Sequence, residues 1–249
     1  MVFLASVNKE PNHSILCYIR EIDLLAKWKV VPLGSLHQLI PQTLHKTYSY
    51  RLADQLVKAG VAHKIKCLQS KFHVLVPTEY ALNYTGQEFS FSRFVDYCRI
   101  AFVASAFLEL PAFNKKVIRF SHEVYENELD RNRLSADFSI DGIDSKYSAF
   151  RVGVFFETLN YSRENTIEWI MKLVENDNFD VIILVFKNLE DLNIRKNLYF
   201  ENRNHKYGKA LKESVCLLHI NDYLKHPHEI NQSYAYFRGE ESTLEKVFK

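Results

Sequence analysis

Thr47, Tyr50, Arg51, Asp54 and Lys58 recur at i, i+3, i+4, i+7 and i+11, the spacing that puts side chains on one face of an α-helix. A face of hydroxyl, guanidinium and ammonium groups can enter the major groove of DNA: Tyr50 and Arg51 suit base edges, and Thr47 and Ser49 suit phosphates. Asp54 on that face repels phosphate unless Arg51 or Lys58 pairs with it. Further on, Lys64 and Lys66 alternate along a β-prone run and Lys71 follows at its turn, where cations reach the phosphates beside a groove.

These residues need a scaffold, and the flanking sequence supplies one. Ile15, Tyr18, Ile19, Ile22, Leu25 and Trp28 recur at helical spacing and predict a first helix over Ser14 to Trp28. Val30-Val31-Pro32 interrupts it, Gly34-Ser35 starts a short second helix to about Ile40, and Pro41 stops that one. Tyr48, Leu52 and Leu56, with neighbours Ala53 and Val57, predict a third helix that ends at Gly60. Val61 to Leu68 and Phe72 to Val76, joined by Gln69-Ser70-Lys71, predict a hairpin.

Three helices and then a basic hairpin is an order similar to the winged helix-turn-helix superfamily. The segment "SYRLADQLVKAGVAHKI" resembles its recognition-helix exit, and "HVLVPTEYALNY" resembles its step out of the wing; Pro77-Thr78, with Tyr80 and Ala81, depart from that step where a glycine often stands. The resemblance implies double-stranded DNA as partner. A winged helix can also serve as a protein-interaction module.

The 249 residues carry only 7 Gly and 6 Pro, so little of the chain is linker material. Two domains are expected: 1–88 with the helices and hairpin, and 113–249, joined by a linking helix over 89–112. The net charge of +2 selects no partner, but ten Lys or Arg against six Asp or Glu lie within 1–88, which makes that part +4 and the rest −2. Cys17, Cys67, Cys98 and Cys216 form no CxxC pair and no metal-ligand spacing, which predicts reduced, buried thiols of a cytoplasmic protein and no zinc. The N-terminus has no signal-peptide pattern, and the longest apolar stretch, Ile100 to Leu108, is too short to span a bilayer, so no membrane association is expected.

In the second half, Phe94, Tyr97, Cys98, Ala101, Phe102, Ser105 and Leu108 give an apolar face to a helix over Phe91 to Leu110. Lys116 to Val124 reads as a strand, Glu126 to Arg133 as a loop, and Asp137 to Ile140 and Phe150 to Thr158 as two strands around a turn at Asp141-Gly142. A helix over Arg163 to Glu175 follows, capped by Ser162. Next come a buried strand at Val181 to Phe186, a helix from Leu189 to about Asn202, and a strand at Val215 to His219. His219 reads as a satisfied core histidine, the aromatic residues as core, and the polar tail beyond Pro227 as loosely ordered. The expected class is α/β with a mixed sheet.

Three strands, a helix and another strand, with Asp137 in the second strand and Glu157 in the third, are similar to the PD-(D/E)XK nuclease fold. In active members an Asp and an ExK motif hold Mg²⁺, which activates water, while the Lys stabilises charge developing on the phosphate. Here "FFETL" puts Leu159 at the lysine position, and Lys172 is the migrated candidate; Arg163 can partner Glu157. Over residues 14 to 190 the chain resembles the replication-relaxation family of plasmid and mobile-element proteins, on "RLSADFSI" and "VFFETLNYSRENTIEWIMKLV". That resemblance implies a DNA-binding accessory or regulator of replication, transfer or transcription without established catalysis and with no cofactor. The alternatives are a Mg²⁺-dependent DNA endonuclease using Asp137, Glu157 and Lys172, and a protein-interaction regulator of antitoxin type. A homodimer through the apolar surface of Phe94 to Leu108 is a further expectation.

Overall fold

The computed structural model describes residues 17–40, 46–67, 72–113, 118–120, 136–143, 149–156, 170–173, 179–201, 207–220 and 227–248. The chain divides into two units, Met1–Ala101 and Phe102–Lys249. The division falls within one helix, α5 (Phe94–Glu109), which lends residues to both.

In the first unit, α1 (Ile19–Trp28) buries Ile22, Leu25, Ala26 and Trp28, the stripe its apolar spacing predicts. Val31–Pro32, which reads in sequence as a mere interruption, forms a short strand, β1. It pairs with β3 (His73–Pro77), and β2 (Ala62–Lys66) lies on the other side of β3, so the sheet order is β1-β3-β2. Proline is tolerated in β1 because an edge strand leaves one row of amide positions unpaired. Central β3 is covered, with Val74, Leu75 and Val76 at 1% exposure or less. Between β1 and β2 the chain forms α2 (Leu36–Leu39) and α3 (Lys46–Lys58). Gly60, at φ +74°, turns the chain out of α3 in a conformation that costs other residues energy. After β3, the Thr78 hydroxyl accepts from the Ala81 amide and caps α4 (Glu79–Thr85).

The second unit is built on a mixed seven-stranded sheet, as the sequence predicts for the α/β class. Strands β4 (Ile118–Phe120), β5 (Phe138–Ile143) and β6 (Ala149–Phe156) run antiparallel to one another. Strands β7 (Val181–Phe186) and β8 (Val215–His219) continue parallel to β6, then β9 (Tyr234–Phe237) and β10 (Glu240–Thr243) close the edge antiparallel. All six residues of β7 are buried, as expected for a strand covered on both faces. Between β7 and β8 lie α6 (Leu189–Lys196) and α7 (Gly208–Ser214). The single helix expected from Leu189 to about Asn202 passes at Asn197 into a wider π-helical turn, through which Tyr199 is fully buried.

Four expectations are corrected. Asp141-Gly142 is strand and not turn: Gly142 is there because a side chain's Cβ would stand 2.5 Å from the Phe150 ring and 2.9 Å from that of Phe113. The tail beyond Pro227 is ordered over 227–248: after β9 and β10, α8 (Leu244–Val247) delivers Phe248 into a cluster with Phe107, Phe113 and Phe150. Most of the apolar surface expected to be on offer at Phe94 to Leu108 is covered within the chain, since every residue from Ile100 to Leu108 is buried, while Val95 is 39% exposed. Cys17 is exposed, whereas Cys67, Cys98 and Cys216 are buried, and none forms a disulfide. The neighbouring Cys67 and then burial push the Cys98 thiol up, and burial pushes that of Cys216 up to about 12, so both stay protonated and unreactive. Among the described residues, no helix is long and apolar enough to cross a membrane.

Asp141 ties three strands together through ion pairs with Arg119 at 2.8 Å on β4 and Arg151 at 2.9 Å on β6. Burial works to raise its pKa, but the hydrogen bonds and charges of Arg151 and Arg119 outweigh that and hold it below the ordinary carboxylate value of 3.8. A depressed carboxylate contributes stability above its unfolded pKa and loses it as pH falls through the folded one. Acid titration from about pH 5 to about pH 3 will therefore destabilise the wild-type protein more than Asp141→Asn, a difference measurable by denaturation at each pH. Equal losses would show the pairs to be energetically silent.

Candidate nucleic-acid interface

Helix α3 is amphipathic, and its phase decides what each predicted residue can do. Ser49, Leu52, Ala53 and Leu56 face the core, all at 4% exposure or less. At 100° per residue, Thr47, Arg51, Asp54 and Lys58 fall within roughly 60° of arc on the opposite side, with Tyr50 beside them. All five are exposed. Ser49 is thereby removed as a phosphate contact: it is fully buried one turn before Leu52 and Ala53, with its hydroxyl unbonded. Tyr48, expected in the core with Leu52, lies roughly a quarter-turn from the centre of the buried stripe and is 49% exposed, on the opposite flank of the outward face from Tyr50, which is 46% exposed.

Lys64 and Lys66 on β2 are both exposed, and the ladder sets Lys66 opposite His73, also exposed. Lys71 lies outside the described residues. The Lys64 ammonium pairs with Asp54 Oδ1 at 3.2 Å, linking hairpin to helix. Asp54 thus has a partner other than the expected Arg51 or Lys58, and the pairing offsets the charge of Lys64. Sequence gives no signal of this, because the two residues sit on different elements and meet only through tertiary packing. Arg51, Lys58 and Lys66 make no ion pair among the described residues. Among the described residues, this surface therefore presents three cations without an ion-pair partner and one compensated cation, together with tyrosine rings and the Thr47 hydroxyl.

No protein-family model and no curated protein matches this chain. Its chemistry therefore rests on its own residues.

In the second unit, Asp137 directly precedes β5, and its Oδ2 accepts the Phe156 amide at 2.7 Å, at the end of β6. The next residue in sequence is Glu157, so the sheet brings Asp137 to the strand end from which Glu157 follows. Glu157, Leu159 and Arg163 lie outside the described residues. Lys172 is exposed in the helical residues 170–173, whose Ile170, Met171 and Leu173 are buried. Among the described residues, one Asp137 oxygen accepts a backbone amide, and no three His, Cys, Asp or Glu side chains gather. No hydrolytic step is derived from them. His219 is half-buried and bonded to the Lys187 backbone; burial lowers its pKa and that bond works the other way.

Proposed function

We propose that the protein is a DNA-binding accessory or regulatory factor of the replication-relaxation kind, acting on plasmid or other mobile DNA. In this reading the first unit is a winged helix that binds duplex DNA, with α3 in the major groove and the β2–β3 hairpin along the backbone. The observation that carries it is the set of exposed cations Arg51, Lys58 and Lys66, without ion-pair partners among the described residues, on one helix face and the adjoining strand. Phosphates satisfy such charges, and their binding releases condensed counterions. Thr47 and the Tyr50 ring supply neutral contacts on the same face. The second unit is a nuclease-like sheet that carries the first without catalysis, and no cofactor is required.

Titration of a mixed-sequence labelled duplex with the full chain at rising salt tests this. Log affinity is expected to fall linearly with log salt, with a slope of about −0.9 for each phosphate neutralised. Duplex binding that is absent at low salt, or indifferent to salt, overturns the proposal and favours a protein partner.

One observation favours a second reading, a metal-dependent endonuclease: the bond from Phe156 to Asp137 sets one carboxylate beside the strand end leading to Glu157. Mg²⁺- or Mn²⁺-dependent cleavage that disappears in Asp137→Ala would establish it. Intact binding without cleavage leaves the non-catalytic reading standing.

A further inference from the structure

An exposed carboxylate in the middle of a cationic, DNA-facing helix surface needs a reason, because facing phosphate it would only weaken binding. Asp54 lies at the centre of the outward stripe of α3, one turn from both Arg51 and Lys58, with its side chain 59% exposed. Its Oδ1 pairs with the Lys64 ammonium, which reaches it from β2. That pairing occupies Oδ1, and Oδ2 accepts nothing among the described residues. The arrangement leaves an acceptor on the outward face of the helix, with its charge compensated by an ammonium group that lowers the cost of taking it out of water.

Among groups exposed in a major groove, the donors such an acceptor can use are the exocyclic amino groups of bases, and cytosine N4 is the one that Asp and Glu match. Phosphate oxygens, thymine O4 and guanine O6 and N7 are all acceptors and repel it. We propose that Asp54, positioned by Lys64, is a specificity-determining residue that accepts a hydrogen bond from cytosine N4 in the bound duplex. It gives discrimination both ways, attracting cytosine and penalising the acceptor edges of thymine and guanine and the backbone. Lys64 then acts through Asp54 as a positioning residue, whereas Arg51, Lys58 and Lys66 supply affinity that is blind to sequence.

The inference rests on the DNA-binding reading, and the experiment separates the two. Full-length wild-type protein, Asp54→Ala, Asp54→Asn and Lys64→Ala each select from a randomised duplex pool, and the enriched sequences are read. Wild type is expected to favour cytosine by about tenfold or more at one position. Asp54→Ala loses the preference there and binds random duplex more tightly, Asp54→Asn shifts it toward adenine, which asparagine matches through N6 and N7, and Lys64→Ala weakens it. Asp54→Ala that selects the same base as wild type at every position overturns the assignment of Asp54 while leaving DNA binding intact. A wild-type protein that enriches and retains no duplex overturns both. Because Asp54 is exposed, thermal unfolding of each variant should match wild type closely, which separates lost specificity from lost fold.

Discussion

Phe248→Ala will lower the stability of the second unit by about 3 to 5 kcal/mol, the range for removing a buried aromatic ring from a packed core. Phe248 is 6% exposed although it stands one residue from the end of the sequence. Its ring centroid lies 4.9 Å from that of Phe113, 6.0 Å from Phe107 and 6.2 Å from Phe150, which it stacks upon at 4°. Phe107 and Phe113 are fully buried, so the space left by the ring cannot be filled by water without exposing them. The check is the urea midpoint followed by circular dichroism. Phe91→Ala is the control, because Phe91 is 59% exposed and its loss should stay within about 0.5 kcal/mol. A Phe248→Ala midpoint equal to wild type would mean that the C-terminal segment is not part of this core.

The second large effect concerns the interface. Replacing Arg51, Lys58 and Lys66 together by alanine removes three uncompensated cations and should flatten the log–log salt dependence of duplex binding by about 2.7, at about 0.9 for each phosphate no longer neutralised. At low salt the affinity should fall by well over about tenfold, since each cation–phosphate pairing is favoured by counterion release. Lys64→Ala alone should flatten the slope less, because Asp54 already offsets that charge. Removing both Lys64 and Asp54 should leave the slope close to wild type. All three side chains are exposed, so folding is expected to survive the triple change. A triple variant with an unchanged slope would place the phosphate-binding cations elsewhere on the chain.

Much of the architecture is legible in the sequence where periodicity is strong. The stripes of α1 and α3 carry a helical period, and the run of β7 is short and rich in β-branched residues, as a buried strand is. Legibility fails where position depends on partners distant in sequence. Val31–Pro32 is too short to show alternation and is a strand only because β3 lies beside it. Gly142 imitates a turn signal, yet its lack of a side chain serves the Phe150 and Phe113 rings. The polar residues of β10 obscure an edge hairpin whose buried members are Ala235 and Tyr236.

The site divides the same way. The exposure of Arg51, Lys58, Lys64 and Lys66 follows from local period and is readable, whereas Ser49 misleads because a small hydroxyl fits either face of a helix. The Asp54–Lys64 pair is not readable, since a salt bridge between helix and hairpin depends on how the two elements dock. That pair changes the site most: it offsets the charge of one lysine in the proposed phosphate-binding set and gives the carboxylate a partner. Of the acidic residues in the second unit, sequence indicates Asp137 but not its bond to the Phe156 amide, which holds it beside the end of β6.

Whether α3 and β2 are where duplex DNA binds is tested most directly by photo-crosslinking the full chain to a duplex containing bromodeoxyuridine and sequencing the attached peptides. Crosslinks are expected within Lys46–Lys58 and Ala62–Lys66, centred on Tyr48, Tyr50 and Arg51, and salt should suppress them. Crosslinks confined to residues beyond Phe102, or none under conditions where duplex is bound, would contradict a groove-binding α3.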